Sequence, residues 1–145
     1  RLITMVLKVT NDLERMGDQA VNIAEKAIII NQEPPLKPYH DLPKMAEVTQ
    51  GMVRDALNAF MEQDAEKAKN ILEKDDIIDR LNDVLYDEVK QLMAAKPDSI
   101  RTGVSLIMVS HNFERIADLA TNIAEDVIYI KRGIDVRHHI RERRQ

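Results

Sequence analysis

Cysteine and tryptophan are both missing from these 145 residues. Without thiols neither a disulfide framework nor a thiolate metal site can form, and the chain suits a reducing compartment. Aromatic residues make up 3% and only four glycines occur, too few for the strands and tight turns of a sheet protein. No apolar run approaches the roughly 18–20 residues that span a bilayer. No basic, apolar and small-residue leader pattern opens the chain either. With 21 basic and 25 acidic residues the net charge is −4, a balance that argues against nucleic acid as the main partner. P-loop glycines, a dinucleotide fingerprint and a Ser/His/Asp arrangement are all lacking, so no catalytic nucleophile stands out.

What is present is charge, at 32% of residues, and aliphatic side chains at helical spacing. Met45, Val48, Met52, Ala56 and Phe60 form one stripe. Ile71, Ile78, Leu81, Leu85, Val89 and Leu92 form a second, and Ile107, Ile116, Ala120, Ile123 and Val127 a third. Four of the five prolines fall between Asn31 and Pro43, which reads as a connection with no helix running through it. Pro97 stops another helix, after which Asp98 or Ser99 can cap the next. Asp64 can cap a helix after a tight turn. The pattern predicts helices near 2–30, 42–63, 65–95 and 99–131, then a basic tail. Long helices with short joins imply an all-α antiparallel bundle. The first helical pattern is already under way at Arg1, as though the chain starts in the middle of something.

A repeat lies within this pattern. The stretch NDLERMGDQAVNIAEKAIII from Asn11 matches HNFERIADLATNIAEDVIYI from His111 at half of its twenty positions. Packing could preserve Ile23/Ile123 or Ala24/Ala124. It does not account for the polar identities Glu14/Glu114, Asp18/Asp118, Asn22/Asn122 and Glu25/Glu125. At 100° per residue Glu14, Asp18 and Glu25 lie within roughly 40° of one another, and Asn22 about 80° from Glu14. Like charges four apart repel by about 0.2–0.5 kcal/mol, so the duplicated pairs need a reason. Carboxylates and an amide oxygen beside an apolar face are ligands for a hard or intermediate cation.

A third acidic pair, Asp75 and Asp79, borders the arc of Ile71 and Val89, and Asn82 follows on the same side. In an antiparallel bundle this helix and the one carrying Glu114 and Asp118 are neighbours. Four carboxylates can then converge on one groove, and a cation would offset their repulsion. The plainer reading is a solvated face in which Arg15 and Arg115 pair with Asp18 and Asp118. Asp76, Asp83 and Asp87 lie further from the apolar arc and belong to that reading. His111 gives His-x-x-Glu with Glu114, the reverse of the Glu-x-x-His of di-iron bundles. His138 and His139 sit in the basic tail, and the methionines read as core filler.

The doubled ER..D...NIAE pattern, with the ending VIYIKRGIDVRHH, resembles the PhoU family of phosphate-uptake regulators. The resemblance runs over essentially the whole chain. It implies three-helix repeats carrying E/D-x-x-x-D motifs: residues 1–31 would be the last helix of a first repeat and 32–43 a linker. Residues 44–131 would be a complete second repeat and 132–145 a basic tail. It further implies metal ions (iron, manganese, magnesium or zinc) held by Asp75, Asp79, Glu114, Asp118 and Asn122, with Glu14, Asp18 and Asn22 as the first-repeat counterpart. The implied role is that of a cytoplasmic, often dimeric regulator. It would act between the phosphate ABC transporter ATPase and the sensor histidine kinase, with at most peripheral membrane association and no enzyme activity. A carboxylate-bundle enzyme and a purely structural bundle are the alternatives. The first helix, whose arc is Met5, Val9, Met16, Ile23 and Ile30, is expected to join the second repeat or to pair with its equivalent in another chain.

Overall fold

The computed structural model describes residues 2–36 and 41–132. They form four helices: α1 (Leu2–Asn31), α2 (Asp41–Glu62), α3 (Ala65–Ala95) and α4 (Ile100–Arg132), with a 3-10 turn at Pro97–Ser99 before α4. No strand occurs among the described residues, as the composition leads one to expect. The tail beyond Arg132, with His138 and His139, lies outside the described residues.

The proline-rich connection is shorter than 32–43. Asn31 still belongs to α1, and Asp41, Leu42 and Pro43 form the first turn of α2. Proline is tolerated there because a first-turn N–H has no intrahelical acceptor to lose. The α2–α3 join follows the expected logic more closely. Gln63 takes the left-handed conformation with φ 50°. Its N–H donates to Phe60 O at 3.3 Å, and the Asp64 N–H donates to Ala59 O at 3.0 Å, the paired bonds of a Schellman ending. Asp64 then caps α3, its Oδ1 accepting from the N–H groups of Glu66 (2.9 Å) and Lys67 (3.1 Å).

Ser99 behaves otherwise than expected. Its hydroxyl does not cap α4 but donates back to Lys96 O at 2.5 Å, closing the end of α3. Lys96 O also accepts the Ser99 backbone N–H at 2.9 Å, and Leu92 O accepts the Lys96 N–H at 2.9 Å, so the helix end is closed by both backbone and side chain.

The central element is α4, against which α1, α2 and α3 all pack, while α1 scarcely touches the other two. The first helix therefore packs with the other three, and it does so through α4. Burial on several sides explains why α4 carries so many small residues. Thr102, Gly103, Ser105, Ser110, Ala117, Ala120 and Ala124 are all buried. At Gly103 an added Cβ would fall 2.6 Å from Met93 Cγ on α3. The main core joins Met45 and Met52 of α2, Ile71 and Ile78 of α3, and Ile123 and Ile128 of α4. Each large side chain contributes about 1.5–3 kcal/mol by leaving water. On α1, Met5, Val9 and Met16 are buried on this core, whereas Ile3, Leu7, Val21 and Ile28 face outward and stay exposed. No helix among the described residues is long and apolar enough to cross a membrane.

Candidate functional site, an acidic seam between α3 and α4

The helical period puts Asp75, Asp79 and Asn82 on one face of α3. That face turns toward α4: Asp75 is 8% exposed, and Asp79 and Asn82 are half-buried. The register of the two helices is fixed by a bond across the seam, Asn82 Nδ2 donating to Glu114 Oε2 at 3.0 Å. Ser110, one turn before Glu114 on α4, donates from its hydroxyl to Asn82 Oδ1 at 2.6 Å. His111 Nδ1 lies 3.1 Å from the same Glu114 oxygen. These four side chains form a continuous hydrogen-bonded chain from α4 to α3 and back.

Because α3 and α4 run antiparallel, moving from Asn82 back to Asp79 on α3 accompanies moving from Glu114 on to Asp118 on α4. The two acidic pairs therefore flank one seam. Their carboxylates are not drawn together: among the described residues, no group of three or more His, Asp or Glu side chains is gathered as a metal ion would require. Glu114 is held by Asn82 and His111, and Asp118 is exposed. The donor set is all oxygen and suits a hard cation. Both of the bonds to Glu114, with Asn82 and with His111, fall on Oε2.

Asn122 does not share this seam. Eight residues beyond Glu114 it has rotated by about 80°, and it lines a cleft of about 240 Å³ on the α1 side, with Lys8, Asn11, Asp12, Glu125 and Asp126. Glu14, Asp18 and Asn22 are exposed on α1 and meet no acidic helix among the described residues. The two copies of the motif thus have different surroundings.

Ser110 and the α1–α4 cleft were not picked out by sequence reasoning. Asp12 and Asp126 are 8% and 9% exposed. Lys8 Nζ lies 3.3 Å from Asp126 Oδ1, and Arg15 Nη1 lies 4.0 Å from Asp12 Oδ1. Burial pushes the Asp12 carboxyl above its ordinary value of 3.8; Asp126 adds to the rise, while Arg15 and Lys8 oppose it. In the repeat alignment Asp12 faces Asn112 and Asp126 faces Lys26, so a search for shared identities passes over both. The signal available was a charged residue at the 5, 9, 12, 16 spacing of a buried stripe.

With this geometry in hand, comparison with known proteins is informative. The family model described as PhoU domain matches residues 1–27 and 42–127. The phosphate-specific transport system accessory protein PhoU homolog of Aquifex aeolicus is 44% identical over 144 residues, covering 99% of this chain and 65% of that protein. The crystal structure of PhoU from Pseudomonas aeruginosa superposes with a TM-score of 0.88 at 36% identity, covering 92% of this chain and 65% of that one. The phosphate transport system regulatory protein PhoU from Streptococcus pneumoniae gives a TM-score of 0.82 at 31% identity, covering 92% and 63%. The chain thus spans just under two thirds of each of these relatives.

Proposed function

Since the chain belongs to the PhoU family, we propose that it is an accessory protein of phosphate-specific transport, a regulator that acts by contact and not by catalysis. The observation that carries this reading is the family match along both helical stretches, residues 1–27 and 42–127. The relatives' names as accessory and regulatory proteins of that transport system support it. The partners proposed are the phosphate ABC transporter ATPase and a sensor histidine kinase, with the chain restraining the starvation response in the cytoplasm when phosphate is plentiful. The exposed Ile3, Leu7, Val21 and Ile28 would give a second copy an apolar face on which to form a homodimer.

Within this role the α3–α4 seam would take a divalent or trivalent cation through Asp75, Asp79, Glu114 and Asp118. The bound ion would draw these carboxylates together, neutralise their charge and stiffen the α3–α4 pair. Asn82, itself held by Ser110, fixes Glu114 at the seam. Glu14 and Asp18 would need an acidic helix laid against α1 to do the same. The adaptor role is tested by co-precipitation of the full chain with the purified transporter ATPase and with the kinase. Retention of both proteins is expected. Failure of both to bind, at micromolar concentrations and low salt, would remove the adaptor reading.

A further inference from the structure

A second site lies away from the acidic seam, in a groove of about 610 Å³ where α1 and α2 ride side by side on α4. Its walls are apolar: Ile23 of α1, Val53 and Leu57 of α2, and Phe113 and Ile116 of α4. That volume and lining are those of small-molecule sites, which also carry a few placed polar groups. Here the polar groups all come from α2, namely Thr49, Gln50 and Arg54.

Thr49 is the anomaly. A hydroxyl inside a helix ordinarily bonds the carbonyl four residues back, as Thr10 does to Val6 O at 2.8 Å and Ser105 does to Arg101 O at 3.0 Å. Thr49 is 2% exposed, yet its Oγ1 has no hydrogen-bond partner. A buried hydroxyl left this way is a net loss to folding, and valine would fill the space without it. Arg54 is the second departure. It supplies the only charge among the groove's lining residues, and it pairs with no acid among the described residues. One turn away on the same ridge, Gln50 adds an amide donor. The groove therefore offers an apolar bed, an unused hydroxyl in its wall and a cation with an amide at its rim. From Thr49 to Leu57 it follows α2 for about 12 Å.

We propose that this groove binds a small amphiphilic anion, an acyl or comparable apolar body bearing a carboxylate. The body lies along Ile23, Val53, Leu57, Phe113 and Ile116. The carboxylate rests on Arg54 and Gln50, and the Thr49 hydroxyl bonds the part of the ligand that passes it. Charge complementarity selects the anion: nothing acidic lines the groove to repel it. The volume of about 610 Å³ and the mainly apolar lining with a few polar groups at one wall match a small-molecule site. The proposal is independent of the cation seam, with which it shares only α4.

The test is calorimetric titration of decanoate into the full chain, below the micellar concentration. Saturable one-to-one binding is expected, with uncharged decanol weaker by about tenfold. Arg54→Gln, on an exposed side chain that leaves the fold intact, should weaken decanoate about tenfold while leaving decanol unchanged. Thr49→Val should weaken it several-fold. Val53→Trp, which fills the groove, should abolish binding with helicity by circular dichroism retained. Decanol binding as tightly as decanoate, or Arg54→Gln without effect, overturns the proposal. So does decanoate binding that survives Val53→Trp, since the ligand would then lie elsewhere, for instance on the outer face of α1. A concentration-dependent dimer that Val53→Trp and Arg54→Gln both dissolve would assign the groove to a second copy instead.

Discussion

At Gln63 the backbone holds a left-handed φ of 50°, a conformation that costs a residue with a Cβ about 1–2 kcal/mol and glycine almost nothing. Gln63→Gly should therefore raise stability by up to about 1 kcal/mol, read as a higher urea midpoint with the slope unchanged. The turn was legible because Asp64 is a strong cap ahead of an apolar stripe. Asp12 makes the opposite kind of statement. Its carboxyl is raised by burial first, with Asp126 adding and Arg15 and Lys8 opposing. A folded pKa above the unfolded one means that the ionised form is the strained one. The cost is fully present above the folded pKa and is relieved as pH falls through it toward 3.8. Asp12→Asn should therefore melt higher than the natural chain at neutral pH. Its advantage should shrink and vanish as pH drops below the ordinary carboxylate value, in a series of thermal melts. An advantage that grew with acid would contradict this reading.

Among the elements, α4 sets the constraints. Its small residues let three helices approach it, and at Gly103 Met93 and Val89 leave no room for a Cβ. Alanine in place of glycine in a helix gains about 1 kcal/mol by propensity, but forcing a methyl group against Met93 costs about 1–3 kcal/mol. Gly103→Ala should thus be neutral or destabilising. Gly51→Ala on α2, where a Cβ would meet nothing within 4 Å, should stabilise by up to about 1 kcal/mol. Paired denaturation curves decide it: equal gains at both sites would mean that the close α3–α4 approach is not a constraint. The helices themselves could be read in advance from apolar periodicity and proline positions. Their contacts could not, because period says which face is buried and not what covers it. The stripe that includes Ile116 and Ile123 marks one face of α4, whereas Ser110, Gly103 and Ala117 on its other flanks gave no apolar signal. Ser99 was misread for a related reason: a serine before a helix looks like a cap whether its hydroxyl turns forward or back.

For the whole molecule, the two copies of one acidic motif have been put to different use by their surroundings. Glu114 reaches α3, while its counterpart Glu14 faces outward. Repetition in the sequence singled out Glu114 and Asp118, and helical spacing singled out Asp75 and Asp79. Asn122 lines the cleft on the α1 side. Whether Asp75, Asp79, Glu114 and Asp118 act as one cation site decides what the seam does. Thermal unfolding of the full chain with Mn²⁺ and with a chelator, repeated on the Glu114→Ala/Asp118→Ala variant, tests this most directly. With Mn²⁺ at a hundredfold over its dissociation constant, linkage adds about 2.7 kcal/mol, a rise of about 5–10 °C for a domain of this size. That rise is expected in the natural chain, and its loss in the double variant. An unchanged melting temperature in the natural chain, or an equal rise in both proteins, would contradict it.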